Sequence, residues 1–356
     1  RPYLKQLETK SGIWFLDARR AKNLSVPLDG WYTPDGLASL LKQDHDDATD
    51  KLKQEPTDYL GLRDYQIRAI RAAEDAIAKG QREVLLAMAT GTGKTKTCIG
   101  LCYRLLKTKR FRRILFLVDR SALGEQTANA FKETRLEALQ TFDSIFDLKT
   151  LEDVRPDSDT KLHIATIQGM VKRILYSEEG VPTVDQYDCI VVDECHRGYL
   201  LDREMSDGEV VFRNQEDYVS KYRRVLEHFD AVKVGLTATP ALHTREIFGP
   251  PVFTYSYREA VIDGFLVDHE PPTRIVTKLA QDGITWQVGE QVETYEPRTG
   301  EVQLALLPDE VHVEVEEFNR RVVTENFNRV VCEQLAKHID PTFPAKTLVF
   351  CATDDH

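Results

Sequence analysis

The chain has no run of apolar residues long enough to cross a bilayer, which excludes a helical membrane span. No secretory leader is visible at its opening, Arg1-Pro2-Tyr3-Leu4-Lys5, and the absence of an initiating Met reads as a start inside a longer protein. None of its six cysteines, Cys98, Cys102, Cys189, Cys195, Cys332 and Cys351, forms a CxxC pair. Three lie in or beside apolar runs, so buried reduced thiols in a cytoplasmic protein are expected. Net positive charge is lacking as well, with 47 Lys and Arg against 58 Asp and Glu. A formal net charge of −11 argues against nucleic-acid binding by bulk charge, though not against a local groove that grips phosphates through backbone N–H, Ser and Thr groups. What is present, 356 residues of which 42% are hydrophobic, suffices for two domains or for one with large appendages.

One more absence lies inside the most informative stretch, Met88-Ala89-Thr90-Gly91-Thr92-Gly93-Lys94-Thr95, which follows the apolar run 84–87 and precedes a helical pattern over 96–106. A phosphate loop usually begins with Gly five residues before its Gly-Lys pair, and here Met88 holds that place. The remainder keeps the chemistry. A polyphosphate must be held by backbone N–H groups, so Gly91, Thr92 and Gly93 need a backbone that no Cβ obstructs at the two glycines. Lys94 supplies a point charge for the β/γ-phosphates, Thr95 a hydroxyl for Mg²⁺, and the helix dipole adds to the attraction. About a hundred residues on, the apolar run 188–192 ends in Asp193-Glu194-Cys195-His196. Of this pair, Asp193 suits the metal through water and Glu194 suits activation of an attacking water. The spacing fits two neighbouring strands of one parallel sheet.

The chain in order predicts the tail of an upstream domain over 1–42, with a strand near 12–17 and a helix over 34–42 opening at Thr33. Residues 43–60 read as a polar linker or helix between domains. Residues 61–268 read as the main α/β lobe, its helices and buried strands alternating: helix 65–79 stopped by Gly80, then strands at 113–118, 162–166 and 232–236. Segments 141–160 and 200–220 are polar and read as surface excursions. Residues 269–356 read as a connecting segment with hairpins over 273–302, a helix over 314–338 and a new strand over 346–353. That strand opens a series the chain does not finish, so a truncated second lobe is expected. The basic run 107–113 enters a strand at the edge away from the functional loops, and a solvated turn is the better reading. Glu8-Thr9-Lys10 matches a nuclease tripeptide too common to assign.

In order, Arg63-Asp64-Tyr65-Gln66, residues 89–95, Val118-Asp119-Arg120, Ala165-Thr166-Ile167-Gln168, Asp193-Glu194-Cys195-His196 and Thr237-Ala238-Thr239-Pro240 resemble the successive motifs of a superfamily 2 helicase-type ATPase. The longer stretches 193–199 and 235–240, with Phe248-Gly249 and 260–265, are similar in particular to the motor (R) subunit of type I restriction enzymes. The resemblance implies RecA-like lobes of parallel sheet with helices on both faces, ATP with Mg²⁺ between them, and double-stranded DNA tracking across. It implies methyltransferase and specificity subunits as partners, an upstream nuclease and later second-lobe motifs beyond this chain. Gln66, whose amide both donates and accepts, is then the adenine reader, with Arg63 beside it. His196, Thr237 and Thr239 are candidates to connect the nucleotide to the DNA loops, and Arg120, Ser121, Thr166 and Gln168 to touch the DNA backbone.

Two other readings stand beside this one. Another superfamily 2 motor, such as an RNA helicase or a type III restriction subunit, has the same motifs; DNA-stimulated ATPase without strand separation favours the restriction translocase. A nucleotide-gated binding module with little turnover does not require Glu194, so its presence favours an enzyme.

Overall fold

The computed structural model describes residues 13–15, 26–28, 30–119, 121–151, 153, 155–177, 180–196, 215–269, 284–296, 301–307, 310–313, 325–340, 342 and 346–350. It divides into two compact units, Arg1–Asp268 and His269–His356.

The first unit opens with a short antiparallel pair, β1 (Ile13–Phe15) and β2 (Val26–Leu28). Helix α1 (Pro34–Leu41) starts where the sequence places it, with Pro34 at its first turn and Thr33 Oγ1 accepting from Gly36 N–H. Of the two readings of 43–60, the helical one forms in part: α2 (His45–Gln54) is capped by Asp44 and buries Ala48 and Leu52. Next comes α3 (Asp64–Ala78), whose apolar stripe turns Tyr65, Ala69, Ile70, Ala73 and Ile77 inward; Gly80, at φ 80°, ends it.

From there strands and helices alternate: β3 (Glu83–Met88), α4 (Lys94–Lys107), β4 (Ile114–Val118), α5 (Ser121–Glu133), α6 (Phe142–Ile145), β5 (Asp147–Lys149), β6 (Thr160–Thr166), α7 (Ile167–Val171), β7 (Cys189–Val192), α8 (Gln215–His228), β8 (Val232–Thr237), α9 (Leu242–Phe248), β9 (Phe253–Tyr255) and α10 (Tyr257–Ile262). Strands β3 to β9 form one seven-stranded sheet in the order β5-β6-β4-β7-β8-β3-β9. Every pairing in it is parallel. Its central strands are apolar on both faces because both are covered. Val84, Leu86, Phe116 and Val191 pack into the core on one side, and Leu85, Leu115, Leu117 and Ile190 into that on the other.

Three expectations need correction. The acidic strand β7 is not the direct neighbour of β3; β8 lies between them, paired to both. Strand adjacency follows crossover order rather than sequence spacing, and Gly235 of β8 makes the insertion fit, since a Cβ there would stand 2.9 Å from Cys195 Sγ. Residues 141–160 are not all a surface excursion. Phe142 is fully buried edge-on to Phe131, and β5 pairs with β6 at the sheet's margin. A strand reading Asp-Leu-Lys forms through backbone pairing and leaves almost no hydrophobic pattern to detect. Of the other excursion, 197–214 lies outside the described residues, and Gln215 already begins α8.

The second unit holds β10 (Ile284–Trp286) paired antiparallel with β13 (Val311–Val313), the hairpin β11 (Gln291–Glu296) and β12 (Glu301–Leu306), and helix α11 (Glu325–His338). Residues 273–283 of the expected hairpins and 314–324 of the expected long helix lie outside the described residues. The expected strand over 346–353 does not form at 346–350, where Leu348, Val349 and Phe350 are exposed. An apolar parallel strand needs a partner on its flank, and none pairs with it among the described residues. Residues 351–356 are not described.

The basic run 107–113 is bonded within the chain, Lys107 to Glu55 and Glu137 and Arg112 to Asp188. Cys98, Cys102, Cys189 and Cys195 are buried and free, whereas Cys332 is exposed, so the expectation of buried thiols fails there. Cys332 lies on a helix whose described residues are largely exposed. No helix among the described residues is long and apolar enough to cross a membrane.

Candidate nucleotide site

In a parallel sheet every strand delivers its following loop to the same edge, and here the carboxyl edge collects the loops of all seven strands. The loop after β3 turns sharply at Gly91 (φ 82°) and Gly93 (φ 77°), both left-handed. A Cβ on Gly93 would stand 2.6 Å from Gln66 Nε2, and one on Gly91 3.1 Å from Leu266 Cδ2. Lys94 begins α4 with only 7% of its surface exposed. Its ammonium lies 3.2 Å from Glu194 Oε1, across the intervening end of β8.

The acidic turn is bent to allow this. Glu194 adopts φ 47°, a left-handed conformation costly for a side chain with a Cβ, and its N–H donates to Asp193 Oδ1 at 2.9 Å. Cys195 N–H then donates to Leu236 C=O at 2.9 Å, tying the turn to β8. Glu194 Oε2 is 3.4 Å from His196 Nδ1, which is 2.8 Å from Thr237 Oγ1; that hydroxyl accepts from Thr239 N–H at 3.1 Å. Lys94, Glu194, His196, Thr237 and Thr239 are thus one connected chain of polar contacts.

Thr95, Asp193 and Glu194 line a cavity of about 250 Å³ together with Asp119, Gln126 and Thr127. Two hydroxyls and three carboxylates lining one space beside a buried ammonium form a donor set that fits a hydrated Mg²⁺ carrying phosphates. Asp119 directly follows β4 in a stretch read for DNA contacts, whereas nothing in the sequence singled out Gln126. A larger cavity, about 950 Å³, opens at the opposite edge by Arg82, Glu227 and Lys233, away from these residues.

Gln66 is near the loop, but its amide serves the loop itself. Nε2 donates to Thr92 and Gly93 C=O, both at 3.1 Å, and Oε1 accepts from Arg63 N–H at 2.9 Å. Tyr65, not singled out in the sequence, donates its hydroxyl to Thr92 C=O at 2.8 Å and stacks on Tyr255, ring centroids 4.1 Å apart. Arg63 lies exposed with its guanidinium 4.6 Å over the Phe265 ring. Of the four DNA candidates, Thr166 caps α7 by accepting from Gly169 N–H at 3.0 Å, and Gln168 follows in its first turn, both half-buried. Ser121 opens α5, and Arg120 lies outside the described residues.

A doubly wound parallel sheet with a glycine-bent loop, its lysine facing an Asp-Glu pair on the same edge, defines a helicase-type nucleotide-hydrolase lobe. Residues 59–242 match the family described as "Type III restriction enzyme, res subunit", and the chain belongs to that family. Residues 1–41 match "Type I restriction enzyme EcoKI endonuclease subunit second domain". The chain is 54% identical over 357 residues to the type I restriction enzyme EcoKI endonuclease subunit of Escherichia coli (strain K12), covering 100% of this chain and 30% of that protein. It is 30% identical over 338 residues to the EcoAI endonuclease subunit of Escherichia coli, covering 91% of this chain and 35% of the relative. It is therefore homologous to type I endonuclease (R) subunits and spans about a third of their length. Among solved structures, a fragment described as an HsdR subunit of a type I restriction enzyme from Vibrio vulnificus YJ016 aligns with a TM-score of 0.40 and 26% identity, covering 70% of this chain and 41% of that one.

Proposed function

We propose that this chain is the ATP-hydrolysing front part of a type I restriction enzyme motor, moving double-stranded DNA before a separate nuclease domain cuts it. The observation that carries the reading is the 3.2 Å pair between Lys94 and Glu194, which joins the phosphate loop and the acidic turn in one site. In this reading Gly91, Thr92, Gly93 and Lys94 hold the phosphates, Thr95 and Asp193 hold Mg²⁺, and Arg63 and Gln66 lie toward the base. The metal, when bound, neutralises charge on the phosphates. Glu194 orients and deprotonates the attacking water once phosphate takes its place at Lys94. His196, Thr237 and Thr239, bonded to one another, pass the change toward the loops after β4 and β6, where Arg120, Ser121, Thr166 and Gln168 meet the DNA backbone.

The same reading assigns 1–42 to the tail of an upstream domain, 43–60 to a joint, 61–268 to the first RecA-like lobe, and 269–356 to a connecting segment and the opening of a second lobe. Its partners are the methyltransferase and specificity subunits, and its compartment is the cytoplasm. The test is an ATP–Mg²⁺ titration of Lys94→Ala. Affinity is expected to fall about 10- to 100-fold, the loss of a charged hydrogen bond worth about 1.5–3 kcal/mol. Affinity equal to the parent's removes the phosphate-loop assignment.

A further inference from the structure

Helix α4 carries Lys94 at its first turn and, ten residues on and about 15 Å along the axis, Arg104, which is wholly buried. All five N–H donors of that guanidinium are engaged. Nε and Nη2 donate to Glu74 at 2.6 and 3.2 Å, Nη1 to Glu55 and Pro56 C=O at 2.9 and 2.5 Å, and Nη2 to Leu52 C=O at 3.0 Å. Arg71 of α3 reaches the same place, donating to Leu52 and Glu55 C=O at 3.1 and 2.9 Å and to Glu74 at 3.1 Å. Lys107 adds an ion pair to Glu55. Three of the four acceptors are backbone carbonyls at and just beyond the C-terminus of α2, the negative end of its dipole.

Replacing the whole Arg104–Glu74 pair by apolar residues of similar volume is often neutral for stability, whereas removing Arg104 alone takes the main partner from a buried carboxylate and from the carbonyls around it. What the guanidinium adds is register: it fixes the end of α2 to the helix that starts at the phosphate loop. We propose that Arg104 couples α4 to the segment before the lobe, so that movement of the phosphate loop during ATP turnover reaches the N-terminal part of the full-length subunit. The proposal rests on the motor reading above. In it, residues 43–60 are a stiff joint, and cutting by the upstream domain depends on hydrolysis through Arg104, a positioning residue that touches neither nucleotide nor DNA.

The test uses the full-length subunit assembled with its methyltransferase and specificity subunits, measuring DNA-stimulated ATP hydrolysis and DNA cleavage on one preparation. Arg104→Met with Glu74→Leu removes both buried charges together, and Arg71→Met weakens the joint from its exposed side. Cleavage per ATP hydrolysed is expected to fall about tenfold in the double variant and less in Arg71→Met, with hydrolysis within about twofold of the parent. An unchanged ratio overturns the proposal, whether both activities hold or both fall together. If the double variant does not fold, the ratio in Arg71→Met decides alone. A parent without DNA-stimulated hydrolysis overturns the motor reading itself, and this proposal with it.

Discussion

At the scale of single residues, Glu194 stands in a strained turn with its carboxylate resting on the very lysine that a phosphate would claim. Glu194→Gln is expected to keep ATP binding while hydrolysis in the complete subunit falls about 100-fold or more, because an amide cannot take a proton from water. Full turnover in that variant would take the catalytic role from Glu194. A second prediction concerns His163, buried in β6. Its Nε2 lies 3.1 Å from Asp153 C=O, which only accepts, so Nε2 carries the hydrogen and Nδ1 accepts from Tyr187 O–H at 2.6 Å. Burial first, and Arg173 beside it, lower its pKa from 6.5 to about 4. The neutral ring is therefore the folded form. The stability it contributes is complete above pH 6.5 and is lost as pH falls through about 4. In urea titrations across that window, His163→Gln is expected to be less stable at pH 7 by about 1–3 kcal/mol and to lose less on acidification than the parent. Parallel pH profiles would contradict this. That Lys94 and Glu194 would meet was legible, because a glycine-bent loop and an acidic strand end that both follow strands of one parallel sheet come to the same edge. Gln66 was legible by position but not by its bonds, since an amide that suits a base suits a backbone equally.

At the scale of elements, capping and periodicity made α1, α3, α4 and the central strands readable. Thr33 before Pro34, the stripe from Tyr65 to Ile77 and the unbroken apolar run of β4 each carry a local signal. Strand β5 carries none, and the order of β3, β8 and β7 is a property of crossovers that no single segment encodes. Docking was likewise hidden. Thr33 Oγ1 donates to Asp185 at 2.6 Å, Tyr32 O–H donates to Asp230 at 2.5 Å, and a Cβ on Gly36 would stand 1.4 Å from Asp185 Oδ2. Gly36→Ala is therefore expected to lift α1 from the lobe and to destabilise the fold by about 1–3 kcal/mol, measured by thermal denaturation. An unchanged midpoint would mean that α1 is not held by this contact.

At the scale of the whole molecule, a net charge of −11 means that, in the proposed reading, DNA is met locally, along the carboxyl edge where the loops after β4 and β6 lie side by side. Arg120→Ala is expected to weaken DNA binding by a similar factor on all sequences and to reduce the salt slope by about 1, as for the loss of one phosphate contact. A slope and affinity equal to the parent's return Arg120 to ordinary surface. The six motifs in order were enough to read the helicase-type lobe, whereas the unpaired stretch 346–350 shows where an apolar pattern alone does not make a strand. Gly235 has a last consequence. By leaving room for the Cys195 sulfur, it seals that thiol behind the acidic turn, while burial holds its proton on well above the usual range. An alkylating reagent therefore meets Cys332 at once but Cys195 only when the end of the sheet opens, so the chain carries a built-in clock for breathing at its own acidic turn.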